Sequence, residues 1–204
     1  MTVHDSQNIY LQQKTERISR VGDYLESHVL PFTKLHKTNQ FNLEIGSGHG
    51  HWLTSFASNK PNEVFVGIDL ISKRVKKSET KKKNNKLKNV YFIKAEVNEF
   101  LQALPDCLKI NSTFIMFPDP WPKKRHFKNR IIQNDFLTLL AQISTRTSKL
   151  YFRTDDKPYF DWTKSIIKKH TKWELCLTEW PHESNSFFQD LFQDSFTCTA
   201  CLLA

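Results

Sequence analysis

Phe41-Asn-Leu-Glu-Ile-Gly-Ser-Gly-His-Gly50 decides the fold of this 204-residue chain. Residues 41–45 are a short apolar run of strand type, and glycines follow at 46, 48 and 50. The chain holds only five glycines, so three within five positions mark a tight turn or the close approach of something a Cβ would block. Two nucleotide-binding turns do not fit. A Gly-x-Gly-x-x-Gly fingerprint needs glycine where His51 stands, and no lysine follows as in a P-loop.

Outward from this turn, strand-like and helix-like stretches alternate. Residues 52–58 read as a helix, 64–68 as a second strand, 72–86 as a charged helix and 90–95 as a third strand. Residues 97–104 then give a short helix, 113–117 a fourth strand, 127–143 a helix, 149–152 a fifth strand and 158–170 a helix. Upstream, a polar stretch ends in a helix near 24–29 that Pro31 breaks; downstream, two or three further strands are expected. Strict alternation predicts one α/β domain over residues 1–204, a mostly parallel sheet with helices on both faces. Ligands of such sheets bind beyond the carboxyl ends of the strands, where the strand order reverses.

Those ends carry Glu44, Asp69, Glu96, Asp119 and Asp155. Repulsion disfavours crowding carboxylates on one rim, so a shared ligand explains them better than stability does. The glycine turn with Glu44 suits a cationic ligand without phosphates, and S-adenosylmethionine is such a ligand. Asp69 stands where an acid takes both hydroxyls of a ribose, with capping of the next helix as its other role. Glu96 would lie near the adenine or serve as a first-turn helix acid. Asp155 is a base-binding candidate or a cap for the helix near 158.

A second stretch, Phe117-Pro-Asp-Pro-Trp-Pro-Lys-Lys-Arg-His126, sets a carboxylate beside an aromatic ring and a cationic run. Lys123, Lys124, Arg125, Lys128 and Arg130 have no acid among them, as phosphate binding requires. Residues 73–88 hold nine more basic residues, so 14 of the chain's 30 lie in two short windows, and the net charge is +9. That distribution points to a nucleic-acid partner, although a solvated helix accounts better than a specific contact for any single lysine of residues 73–88. The four cysteines, Cys107, Cys176, Cys198 and Cys201, lack the companions of a zinc site and read as small core or surface thiols, with no metal expected. No signal peptide is evident and no apolar run nears the roughly 18 residues needed to cross a bilayer, so a reducing cytoplasm is expected.

Together these residues carry a resemblance. Leu43-Glu-Ile-Gly-Ser-Gly-His-Gly50, Gly67-Ile-Asp69, Phe117 to His126 with Asn129-Arg-Ile131, and Thr154-Asp155 resemble the motifs of the bacterial tRNA (guanine-N7)-methyltransferases over residues 41–170. The resemblance implies a Rossmann-like, class I S-adenosylmethionine-dependent fold and methyl transfer to a guanosine in the tRNA variable loop. By it, Gly46, Gly48, Gly50, Glu44, Asp69, Glu96 and Asp119 would hold the cofactor, with Asp119 also the catalytic residue. Lys123 and Asp155 would contact the guanosine, and Lys124, Arg125 and Arg130 the RNA. The family's Thr-x-Phe-Glu motif has its nearest counterpart in Ser186-Phe-Phe-Gln189, and Pro122 replaces a frequent histidine. tRNA is the expected partner, with no membrane and no obligatory protein partner. A non-catalytic RNA-binding protein on the same fold is the alternative.

Overall fold

A computed structural model describes residues 3–183 and 195–203. Its centre is β1 (Gln40–Ile45), buried from Phe41 onward and paired in parallel on both sides. On one side lie β2 (Phe65–Asp69) and β3 (Val90–Lys94). On the other lie β4 (Lys109–Met116) and β5 (Ser144–Thr154), followed by β7 (Phe196–Leu202) and β6 (Trp173–Cys176), and the order is β3-β2-β1-β4-β5-β7-β6. Only the pairings of β7, with β5 and with β6, are antiparallel. The chain steps outward from β1 to β3 and then returns to β4, so the reversal point lies between β1 and β4.

Alternation along each strand sorts the core into two layers. Phe65, Phe114 and Tyr151 face Trp52, Leu53 and Phe56 of α3 (His51–Asn59), with Val75 of α4 (Ser72–Asn84) beside them. Leu43, Val66, Ile115 and Phe152 face the opposite layer. There α5 (Val97–Gln102), α6 (Asn134–Ile143) and α7 (Lys157–Lys169) pack with the N-terminal helix α1 (Val3–Tyr24). No helix covers Phe114 and Tyr151 fully. Trp180 fills the gap, with its ring 6.1 Å from Phe114 and 5.4 Å from Tyr151.

Three segments differ from the sequence expectation for identifiable reasons. The N-terminal helix begins at Val3, and Pro31 does not break it: a π turn (Leu25–Val29) precedes α2 (Leu30–Leu35), which holds the proline in its first turn. Proline has no N–H to lose there, and the widened turn moves carbonyls away from its ring. Val21, Leu25 and Val29 bury one stripe, and Arg17 forks onto the buried Glu99 of α5 at 2.6–3.0 Å, whereas the first half is too polar to show an apolar period. The expected helix over 127–143 starts only at Asn134; before it come a 3-10 turn (Lys124–Asn129) and an extended Arg130. Finally, Cys176 and Cys201 are not free thiols but form a disulfide between β6 and β7, with their Cα atoms 5.9 Å apart.

Gly50 is the steric keystone of the α3 layer. It sits at φ 68°, and a Cβ there would come within 2.7 Å of the Phe92 ring and 2.9 Å of Ser78. Gly50→Ala should therefore destabilise the protein by about 2–4 kcal/mol, combining left-handed strain with overpacking, and urea unfolding midpoints would measure it.

Candidate active site

The glycine turn grows directly out of β1 and is tied to β2, because Gly46 and Ser47 donate their backbone N–H groups to the Ile68 carbonyl at 2.9 Å. Gly46 and Gly48 take left-handed φ values of 78° and 56°, and a Cβ on either would meet nothing within 4 Å. Gly50 is therefore fixed by packing, whereas the space over Gly46 and Gly48 is open. That opening lies beside the reversal point.

Glu44 faces it from β1. The residue is only 4% exposed, and its Oε2 has no hydrogen-bond partner among the described residues. Burial, with a smaller contribution from the Asp69 charge, pushes its carboxyl up to about 8. An orphaned carboxylate oxygen beside an open glycine cradle fits the ammonium of a cationic ligand. Asp69 is also buried; its Oδ2 accepts from Gly48 N–H at 3.0 Å and its Oδ1 from Ile71 N–H at 2.8 Å, while Arg74 lies 3.6 Å away. It braces the glycine loop rather than capping α4, whose N-cap is Ile71. Glu96 takes the local role foreseen for it in a cruder form: it is the N-cap of α5, accepting from Glu99 N–H at 3.1 Å.

Across the reversal point, β4 leaves the sheet into the Pro-Asp-Pro segment. Phe117 and Trp121 adopt φ values of 48° and 47°, left-handed conformations that cost bulky residues energy and bracket Asp119 in a sharp loop. Asp119 is exposed and accepts no hydrogen bond from the described residues. The loop is held at its base, where Phe117 N–H donates to the Arg153 carbonyl of β5 at 2.8 Å. At the end of β5 the capping role falls to Asp156, whose Oδ1 accepts Tyr159 N–H at 2.6 Å. Asp155 is left exposed beside it.

The basic residues divide into two kinds. Lys123, Lys124 and Arg125 are exposed, and Arg125 reaches only its neighbour His126. Arg130, expected to contact RNA, is 2% exposed and points inward. Its Nε donates to the Pro120 carbonyl at 2.9 Å, and its guanidinium carbon lies 3.8, 4.7 and 5.4 Å from the rings of Phe127, Tyr159 and Trp162. A phosphate cannot reach a group enclosed in this way, which corrects the expectation for Arg130. On the far side of the glycine turn, Arg74, Lys77 and Lys81 form a cationic rim with His49 and His51. Burial, followed by Lys77, Arg74 and Lys81 for His49 and by Lys81 for His51, pushes both imidazoles down.

Sequence reasoning missed one group altogether. Arg153 forks onto Glu183 at 2.6 and 2.9 Å and lies 4.1 Å from the Trp180 ring, while Trp52 Nε1 donates to the His182 carbonyl at 3.0 Å and His182 stacks on Phe56. These contacts pin residues 180–183 across the reversal point. The aromatic and charged residues of Trp180-Pro-His-Glu183 were the available signal, hidden because they follow no strand or helix period. Ser186 to Gln189 lies outside the described residues.

The raised Glu44 pKa has a stability consequence of definite sign. Between about pH 4.5 and 8 the unfolded chain releases this proton while the folded protein retains it, so the group lowers stability as pH rises through that window. Glu44→Gln should melt above the wild type at pH 8, with the gap closing as pH falls toward 4.5; calorimetric melting at a series of pH values would check this.

Known proteins place this architecture. A family model described as "Putative methyltransferase" matches residues 38–190. A tRNA (guanine-N(7)-)-methyltransferase of Wolbachia pipientis is 34% identical over 127 residues, covering 62% of this chain and 57% of the relative; one of Mesomycoplasma hyopneumoniae strain 7448 is 28% identical over 183 residues, covering 88% and 87%. This chain thus spans a little over half the length of the first relative and most of the second. Among solved structures, a precorrin-6y C5,15-methyltransferase of Geobacter metallireducens (TM-score 0.54, 11% identity, covering 88% of this chain and 87% of that one) shares the fold. So does an rRNA methylase of Streptococcus thermophilus (0.54, 11%, 81% and 89%). The match spans well over half of the chain, and the chain belongs to the methyltransferase family that the matching model defines.

Proposed function

We propose that this methyltransferase transfers a methyl group from S-adenosylmethionine to N7 of a guanosine in the tRNA variable loop. The placement of Asp119 carries the reading: an exposed carboxylate at the β1/β4 reversal point, bracketed by two left-handed residues and followed by exposed Lys123, Lys124 and Arg125. The tRNA (guanine-N(7)-)-methyltransferases of Wolbachia and Mesomycoplasma, to which the chain is similar, support it. On this reading residues 1–204 act as one domain in the cytoplasm, without a metal. No described helix is long and apolar enough to cross a membrane.

S-adenosylmethionine, when bound, supplies an electrophilic methyl on a sulfonium sulfur. Guanine N7 offers a lone pair and no proton, so no residue is needed as a general base. Glu44 would take the cofactor ammonium, Asp69 the ribose and Glu96 the adenine side, with Gly46 and Gly48 giving the room. Asp119 orients the base and offsets the positive charge that methylation leaves on the purine, acting electrostatically rather than by proton transfer. Lys123 and Asp155 flank the guanosine. Lys124 and Arg125, with the cationic rim of α4, receive phosphates. Alignment of N7 with the methyl group is the main source of rate, and such positioning is worth about 7–11 kcal/mol in favourable systems.

Purified protein given labelled S-adenosylmethionine and unmodified tRNA should yield N7-methylguanosine in the variable loop. Asp119→Ala should reduce turnover by about a hundredfold or more while melting like the wild type, because the side chain is exposed; full activity in that variant would remove Asp119 from the mechanism. S-adenosylhomocysteine retains the ammonium, and its binding should require Glu44 to lose a proton. Titration calorimetry should show affinity falling by nearly tenfold per pH unit below about 8, and Glu44→Gln should bind weakly with no such slope.

A further inference from the structure

Arg130 is a buried cation that forms no ion pair among the described residues, with Asp156 acting on it only at a distance. Its Nη1 and Nη2 have no hydrogen-bond partner among the described residues, and the one side-chain hydrogen bond seen there goes from Nε to the Pro120 carbonyl, next to Asp119. Burying a charge in this way is unfavourable unless the surroundings compensate, and here the faces of Phe127, Tyr159 and Trp162 surround the guanidinium. Tyr159 and Trp162 belong to α7, the helix that begins just after Asp155. They also hold the chain on the other side of Arg130: the Tyr159 hydroxyl accepts Ile131 N–H at 3.1 Å, and Trp162 Nε1 donates to the Ile132 carbonyl at 3.3 Å. One side chain therefore joins the Pro-Asp-Pro loop to the start of α7.

We propose that Arg130 is a positioning residue for the transfer reaction, fixing Asp119 relative to Asp155 by clamping the Pro120 carbonyl from within the aromatic cage of α7. The proposal rests on the reading that Asp119 and Asp155 flank the guanosine. It assigns to Arg130 an effect on turnover rather than on RNA affinity. Lysine cannot replace it, because an ammonium on a flexible stem lacks both the planar face that stacks on the rings and the Nε–H aimed at Pro120.

Arg130→Lys and Arg130→Gln test this, with Arg130→Lys the milder change should the second variant fold poorly. Assayed well below their melting temperatures, both should lose about ten- to a hundredfold in kcat, while the dissociation constant for tRNA and its salt dependence stay within about twofold of wild type. Hydrogen exchange in peptides covering residues 117–124 should quicken. Placed on Asp119→Ala, Arg130→Lys should cost little further activity, a non-additivity that general loss of stability would not produce. Unchanged kcat with weakened, less salt-sensitive tRNA binding would overturn the proposal and restore Arg130 as a phosphate ligand. The exchange measurement reads the clamp without any assay of methylation. If the wild type methylates no tRNA, the function proposed above fails; if exchange at residues 117–124 is also unaltered in the variants, the clamp fails separately.

Discussion

The glycine turn after β1 is possible only because position 50 has no side chain. Phe92 and Ser78 close around it at distances that no real Cβ tolerates, so β1, β3 and α4 meet at one point and set the path of residues 46–50. Everything on the cofactor side follows from that path. Gly48 N–H arrives within reach of Asp69, the backbone of Gly46 and Ser47 docks on Ile68, and Glu44 is left facing an open space. A backbone fixed by packing can hold an unmatched carboxyl, since it cannot relax to bring Glu44 to water or to a donor.

Carboxylates at neighbouring strand ends repel, and the structure disperses that repulsion unevenly. Asp69 spends its oxygens on two backbone N–H groups and draws Arg74 near, Glu96 caps α5, and Asp119 and Asp155 sit in solvent where the dielectric weakens their interaction. Glu44 alone is both buried and unsatisfied, and it is the group whose carboxyl rises to about 8. The unfavourable burial is thus concentrated on Glu44, two residues before Gly46. A cationic ligand would relieve it on arrival.

The central β-strands and the strand-end acids were legible from sequence because short apolar runs and the glycine turn are local signals. Glu44, Asp69, Asp119 and Asp155 all stand at or beside the strand ends where the alternation placed them. What escaped depends on tertiary contacts. The first half of α1 carries Ile9, Tyr10 and Leu11 as one exposed run rather than at helical spacing, so its helicity left no period, and the apolar spacing over 127–143 reflected burial of Ile132, Phe136, Leu137 and Leu140 rather than one continuous helix. Arg130, extended and turned inward onto the Pro120 carbonyl, precedes the helix start, and a charge run carries no mark of which member faces inward. Cys176 and Cys201 lie 25 residues apart and meet only because β6 and β7 pair.

The substrate side relies on arginines where the cofactor side relies on glycines. Arg153 contributes at both levels: its carbonyl receives Phe117 N–H at the base of the Pro-Asp-Pro loop, and its guanidinium joins Trp180 to Glu183 beyond the sheet. Arg130 does the same from the opposite flank, through Pro120 and the α7 rings. Both sites need a planar, delocalised cation that can stack on an aromatic face while its edge donates in a fixed direction, which lysine cannot supply. The left-handed Phe117 and Trp121 store strain that such anchors must offset, because neither residue would hold that conformation in a free loop. On the proposed reading, Asp119 can therefore stay exposed to a large substrate while its loop is anchored on either flank by the buried residues Arg130 and Arg153.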